Sequence, residues 1–165
     1  MSKMRRWKIL SDIISKKGYK SLVEIGVLKG NNANNILSDH PNLEYVGVDP
    51  YIPFEGLIHY DHDENKVEAE AVFAKYENAE LFIGTSEEYN KERKFDIIFI
   101  DGDHSYEGVK KDIAVWKNRV NPGGIIAGHD YSNHPSKAGV VKAVNEEFGK
   151  ENIILKEDTV WLYYA

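Results

Sequence analysis

The 165-residue sequence contains no cysteine, which excludes a disulfide framework, a thiolate zinc site, an iron–sulfur cluster and a cysteine nucleophile. A membrane-spanning helix needs about 20 consecutive apolar residues, and no apolar run of this sequence comes near that length. Basic residues are not in excess either: 21 lysines and arginines stand against 27 aspartates and glutamates, a formal net charge of −6. We therefore expect a cytoplasmic protein whose main partner is neither a membrane nor nucleic acid.

What the sequence does contain is an alternation of short apolar runs with helical patterns. The runs carry little charge, which is typical of strands in a sheet that is covered on both faces. They lie at 22–25, 45–48, 81–83, 95–100 and 124–127. The helical patterns lie at 5–17, 31–38, 64–76, 106–119 and 137–148. Asp63 is the expected N-cap of the third helix. A Thr85–Glu88 capping box predicts a further helical turn that begins at Thr85.

Two further apolar runs, at 153–155 and 160–164, are separated only by a short polar stretch. This stretch is too short for a crossover helix, so these two strands are expected to be antiparallel neighbours. The pattern predicts an α/β fold: a Rossmann-like, doubly wound sheet of seven strands, mostly parallel, with a C-terminal antiparallel hairpin and helices on both faces. The length predicts one domain over residues 1–165.

The turn after the first strand has the pattern Glu24-x-Gly26-x-x-x-Gly30. Ligands of open α/β sheets bind at the carboxyl ends of the strands, so this turn is expected to face one. A dinucleotide fingerprint needs glycine where Leu28 stands, which disfavours NAD. Asp49 ends the second strand, where a carboxylate can accept hydrogen bonds from ribose hydroxyls.

This arrangement resembles the class I S-adenosylmethionine-dependent methyltransferases over essentially the whole chain, final hairpin included. The resemblance implies that Glu24, Gly26 and Gly30 line the methionine part of S-adenosylmethionine and that Asp49 binds its ribose. It also implies that Thr85 and Ser86, after the third strand, lie near the adenine.

A second group of polar residues follows the fourth and fifth strands. Asp101, Asp103 and His104 come after the fourth strand, and His129 and Asp130 come after the fifth. Both loops reach the same rim of the sheet as the glycine turn. Carboxylates together with imidazoles are suited to binding a divalent cation or to general acid–base chemistry.

The segments Ile100-Asp-Gly-Asp-His-Ser-Tyr106 and His129-Asp-Tyr131 are similar to those of a small bacterial-type branch of these methyltransferases, related to the metal-dependent O-methyltransferases. That similarity implies Asp101 and Asp130 as ligands of magnesium, manganese or a similar cation, with His129 or Tyr131 where the related enzymes have a second oxygen ligand. Asp101, which also contacts the cofactor, and Asp130, His104 and His129 are the candidate catalytic residues. Either imidazole could act as a base near neutral pH. The alternative is that no metal binds and Asp103 or Ser105 only caps the following helix.

The predicted function is S-adenosylmethionine-dependent O-methylation of a small hydroxylated acceptor such as a sugar or glycan unit, with metal assistance and homo-oligomer formation left open. Two alternatives stay open: an NAD(P)-dependent oxidoreductase, and a non-catalytic S-adenosylmethionine-binding module. The polar segments 50–63 and 133–136 are candidate lids over the ligands.

Overall fold

The computed structural model describes residues 5–53 and 59–165. The helices are α1 (Arg6–Lys17), α2 (Asn31–Asp39), α3 (His62–Phe73), α4 (Tyr106–Trp116) and α5 (Ala138–Phe148). The strands are β1 (Ser21–Ile25), β2 (Glu44–Asp49), β3 (Ala79–Ile83), β4 (Phe95–Ile100), β5 (Val120–Gly128), β6 (Ile154–Leu155) and β7 (Trp161–Tyr164). Single turns of 3₁₀-helix lie at Lys117–Arg119, Pro135–Lys137 and Lys150–Asn152.

The seven strands form one sheet in the order β3-β2-β1-β4-β5-β7-β6. The pairs among β1 to β5 are parallel, whereas β7 pairs antiparallel with both β5 and β6. This confirms the predicted doubly wound sheet with its C-terminal antiparallel pair. The strand order reverses between β1 and β4, and a crevice opens at such a point above the carboxyl ends of the strands.

Strand residues alternate between two cores, one on each face of the sheet. Leu22 and Phe99 pack with α1, α2 and α3, while Val23 and Ile98 pack with α4 and α5. All five residues of β1 are buried, including Glu24. A carboxylate in a central, fully buried strand is costly unless it has polar partners, so Glu24 marks a special position in the sheet.

The helix ends confirm some of the caps predicted from the sequence and correct others. Gly18 ends α1 in the left-handed conformation, as expected. Ser105 caps α4 by accepting a hydrogen bond from the Gly108 N–H. The expected Asp63 cap is wrong, because Asp61 has the extended backbone of an N-cap and accepts from the Glu64 N–H. Residues 86–88 form a turn and not a helix. Glu88 accepts a hydrogen bond from the Thr85 N–H, as the predicted capping box requires, whereas the Thr85 hydroxyl also donates to Glu88 and caps no helix.

Among the described residues, no helix is both long enough and apolar enough to cross a membrane.

Candidate active site

The turn after β1 is pressed against the end of β4. Gly26 has φ +88°, and a Cβ atom there would lie 2.3 Å from the backbone oxygen of Asp101. The Asp101 N–H in turn donates to the Ile25 carbonyl at 2.8 Å. Only glycine allows this approach, so Gly26 joins the glycine turn to the loop that carries Asp101. Gly30 has φ +77° and precedes α2.

Asp49 holds the same turn from the other side. Its Oδ2 accepts hydrogen bonds from the Val27 and Leu28 N–H groups at 2.8 and 3.0 Å, and its Oδ1 accepts from the Tyr51 N–H at 2.8 Å. Leu28 has φ +54°, a conformation that non-glycine residues rarely adopt. Since a carboxylate oxygen has about two acceptor positions, Oδ2 is fully used and Oδ1 has one position left for a ligand.

Glu24 lies beneath the turn and is 1% exposed. The Tyr45 hydroxyl donates to its Oε2 and the Asn32 amide to its Oε1, both at 2.8 Å. Burial nevertheless raises the pKa of Glu24 to about 8, against the effect of both hydrogen bonds. The other amide atom, Asn32 Oδ1, is buried with no hydrogen-bond partner among residues 5–53 and 59–165.

Ser86 belongs to a buried hydrogen-bond chain between the loop after β3 and helix α4. Its hydroxyl donates to Asp112 Oδ1 at 2.6 Å and accepts from the Trp116 indole N–H at 2.9 Å. Burial raises the pKa of Asp112 to about 6 in spite of the Ser86 bond. Asp112 was not predicted from the sequence. The only signal was an acid on the edge of the apolar stripe of α4, next to Ile113.

The predicted reaction centre is assembled at the ends of β4 and β5. His104 Nε2 lies 2.9 Å from Asp130 Oδ2 and 3.9 Å from Asp101 Oδ1. His129 Nδ1 lies 3.4 Å from Asp101 Oδ1 and 3.5 Å from Asp130 Oδ1. The Tyr131 hydroxyl instead donates to Asn145, so Tyr131 does not contribute to the cluster.

Two cations that the sequence did not reveal complete this group. Arg6 Nε lies 3.1 Å from Asp101 Oδ2. Lys137 Nζ lies 3.0 Å from Asp130 Oδ2 and 2.8 Å from His104 Nδ1. Arg6 and Lys137, together with Asp101, His104, His129 and Asp130, are called the rim cluster below.

The carboxylates and cations of the rim cluster shift each other's pKa values. Burial raises the pKa of Asp130, but His104, His129 and Lys137 outweigh it and hold this pKa far below its usual range. Burial also raises the pKa of Asp101, but the two histidines and Arg6 outweigh it, so that this pKa is lowered as well. Burial lowers the pKa of His129, but hydrogen bonds to the two carboxylates raise it to about 9. The two carboxylates therefore favour the protonated imidazole of His129, and its role as a base stays a prediction.

His104 is held from both sides. Burial lowers its pKa, and bonds to the two carboxylates raise it to about 9, while the Lys137 ammonium opposes that rise. An ammonium group only donates, so the contact with Lys137 requires an unprotonated Nδ1 on His104. The contact with Lys137 therefore favours the neutral tautomer of His104 that carries its proton on Nε2, and so opposes the protonation that the two carboxylates favour.

The rim cluster contains potential metal ligands, but the negative charge of its carboxylates is already offset by cationic side chains. One potential ligand atom from each of Asp101, His104 and Asp130 lies within 4.8 Å of the others, whereas His129 is not part of this set. Magnesium prefers oxygen ligands, and the third atom here is an imidazole nitrogen. Each carboxylate is also already paired with a cation, Arg6 or Lys137. The residues present therefore do not fit a magnesium ion.

A cavity of about 420 Å³ connects the glycine turn, the Ser86–Asp112 pair and the rim cluster. This volume lies within the about 300–1,000 Å³ typical of small-molecule sites. It is lined by the predicted residues Glu24, Gly26, Asp49, Thr85, Ser86, Asp101, His104, His129 and Asp130, but not by Gly30. Of the candidate lids, Ile52 and Tyr60 line the cavity, and residues 54–58 lie outside the described residues.

A family model described as a methyltransferase domain matches residues 23–131, from β1 to the end of the loop that carries His129 and Asp130. An uncharacterized protein, R132, of Acanthamoeba polyphaga mimivirus is 43% identical over 51 residues. That match spans 31% of this chain and 23% of the viral protein, less than a quarter of its length.

Solved structures share the fold at low sequence identity. A Staphylococcus aureus protein provisionally described as a caffeoyl-CoA O-methyltransferase is 14% identical with a TM-score of 0.74, over 98% of this chain and 84% of that chain. An O-methyltransferase from Bacillus cereus, solved in complex with S-adenosylhomocysteine (SAH), is 17% identical with a TM-score of 0.69, over 97% and 80% of the two chains.

Proposed function

Because this chain belongs to the methyltransferase-domain family, we propose that it transfers the methyl group of S-adenosylmethionine to a hydroxyl oxygen of a small acceptor. One observation carries the proposal: a single cavity joins the glycine turn to the rim cluster. Cofactor and acceptor can therefore meet without a large movement of the sheet. The structural neighbours described as O-methyltransferases support oxygen as the atom that is methylated.

The residues around the cavity fit the cofactor at three points. The buried Asn32 Oδ1, which has no hydrogen-bond partner among residues 5–53 and 59–165, is an acceptor suited to the ammonium group of the methionine part, and the charge of that ammonium would favour the ionised form of Glu24, whose pKa burial raises. Asp49 Oδ1 has one remaining acceptor position, suited to one ribose hydroxyl. Thr85 and Ser86 line the third region, proposed for the adenine.

The cofactor supplies a methyl group already activated on a sulfonium, so the protein's task is to position the acceptor and remove its proton. We place the acceptor hydroxyl beside Asp101 and Asp130, whose carboxylates accept hydrogen bonds. The acceptor O–H bond breaks and its proton passes to the neutral form of His104 or His129; His104 Nδ1 can accept it only once its contact with Lys137 is broken. The oxygen bonds to the methyl carbon, and the electron pair of the broken C–S bond stays on sulfur.

Calorimetric titration with SAH, and separately with NADH, tests the cofactor. We expect binding of SAH alone, whereas binding of NADH alone would replace the proposal with an oxidoreductase. Transfer of radiolabelled methyl groups to a panel of sugars, glycans and catechols then tests the reaction. SAH binding without transfer to any acceptor of the panel would favour the non-catalytic binding module.

A further inference from the structure

Lys137 is half-buried against Asp130 and His104 of the rim cluster. Its side chain is 24% exposed, and its Nζ contacts both Asp130 Oδ2 and His104 Nδ1. The 3₁₀ turn Pro135–Lys137 brings it there, because the His134 side chain accepts a hydrogen bond from the Ser136 N–H and thereby fixes the approach to α5. The lysine is therefore built into the site by its local backbone.

Together, Lys137 and Arg6 balance the charge of the two carboxylates. Arg6 is ion-paired with Asp101, and Lys137 with Asp130. The two cations and the two carboxylates of the rim cluster thus sum to a formal charge of zero. A third carboxylate, Asp158, lies 3.8 Å from His129 Nε2 and accepts a hydrogen bond from the Arg6 N–H, on the side of His129 away from Asp130. Divalent cations are bound by sites with uncompensated carboxylates, because the metal charge must be offset at short distance.

We propose that Lys137 takes the place of a divalent cation in the rim cluster, so that this site neither binds nor needs a metal ion. Its ammonium group neutralises Asp130 and fixes the orientation of His104, two tasks that a metal ion would otherwise perform. Lys137 is in this sense a positioning residue. That the reaction proceeds without metal rests on the proposed function, whereas the charge balance rests only on the residues present.

The test is a titration of metal-free protein with MnCl₂ in the presence of SAH, with free Mn²⁺ measured by electron paramagnetic resonance. Four proteins are compared: wild type, Lys137→Met, the double variant Arg6→Met with Lys137→Met, and Lys142→Met. Lys142 lies on α5, and its side chain is 61% exposed, with Nζ 3.9 Å from Glu146 Oε1 and 4.2 Å from the centre of the Tyr106 ring. It is therefore the matched control for loss of one lysine.

We expect wild type and Lys142→Met to leave Mn²⁺ free. Removing one cation at contact distance should raise Mn²⁺ affinity by at least about tenfold in Lys137→Met, and removing both should raise it further. Binding of one tight Mn²⁺ per wild-type chain would overturn the inference, as would folded Lys137→Met and double variants that bind no more tightly than wild type. Circular dichroism establishes that the variants are folded, and the wild-type titration decides by itself if they are not.

A second readout uses catalysis. With an acceptor that is methylated, wild-type activity should be unchanged by EDTA, and loss of activity on chelation that returns with Mn²⁺ or Mg²⁺ would refute the inference. If no acceptor is methylated, the proposed function fails but the Mn²⁺ titration still tests Lys137. The two failures are therefore read from different measurements.

Discussion

Replacing Glu24 by glutamine should change how the stability of this protein depends on pH. Glu24 is 1% exposed, and burial raises its pKa from 4.5 to about 8. A raised folded-state pKa means that the folded protein holds a proton that the unfolded chain releases above pH 4.5. The stabilisation is therefore complete below pH 4.5 and is lost as the pH rises through about 8.

The magnitude follows from the two pKa values. Each pH unit between them removes about 1.4 kcal/mol, so the contribution of Glu24 should fall by up to about 4 kcal/mol between pH 5 and pH 9. The free energy of unfolding of small proteins is only about 5–15 kcal/mol, so this loss would be a large part of it. The glutamine side chain of the Glu24→Gln variant does not ionise, so the variant should not show this loss.

Urea unfolding at pH 5, 7 and 9 measures the effect as the difference in unfolding free energy between wild type and Glu24→Gln. The unfolding free energy of wild type should fall steadily relative to that of Glu24→Gln as the pH rises. The exposed Glu77, replaced by glutamine, serves as the control for the loss of one surface carboxylate. If the difference between wild type and Glu24→Gln were the same at all three pH values, the reasoning about burial of Glu24 would be refuted.

Three other substitutions test the site. Gly26→Ala should lower the unfolding free energy by about 3 kcal/mol or more, because the new Cβ would meet the Asp101 backbone. The control Gly123→Ala, at a glycine with φ +78° and open space around it, should lower it by about 1 kcal/mol. Equal losses in urea titrations would contradict this contact. Asp49→Asn should weaken SAH binding by about tenfold in calorimetry, since it removes the charge from bonds to the glycine turn and to the ligand; an unchanged affinity would remove Asp49 from the cofactor site. Ser105→Ala should lower the unfolding free energy by about 1 kcal/mol through loss of the α4 cap, and no change would show that the cap is dispensable.

The fold could be predicted because its signals are local. Apolar runs with little charge, such as 95–100 with Asp96 as its one charged residue, have the pattern of central strands, and the short polar stretch before Val160 permits only an antiparallel return. The position of the candidate site followed from the same pattern, because Asp49, Asp101 and Asp130 all lie at or just after the carboxyl ends of parallel strands.

The contacts within the site could not be predicted in the same way. Arg6 and Lys137 reach the rim cluster from α1 and from the 3₁₀ turn before α5, and long side chains from distant segments leave no spacing pattern in a sequence. Asp112 faces the cavity because of the rotation of α4, which packing decides. The choice of Asp61 over Asp63 as a cap depends on a backbone angle that both residues could adopt.

The contact between Gly26 and Asp101 has a consequence for altering this protein by mutation. Two backbone segments, the turn after β1 and the loop after β4, touch directly and share the hydrogen bond from the Asp101 N–H to Ile25. The spacing between the proposed methyl donor and the rim cluster is thus set by main chain, which side-chain substitutions leave in place. Side chains that line the cavity, such as Ile52 and Tyr60, are therefore positions at which its shape can be changed while the proposed transfer distance is retained.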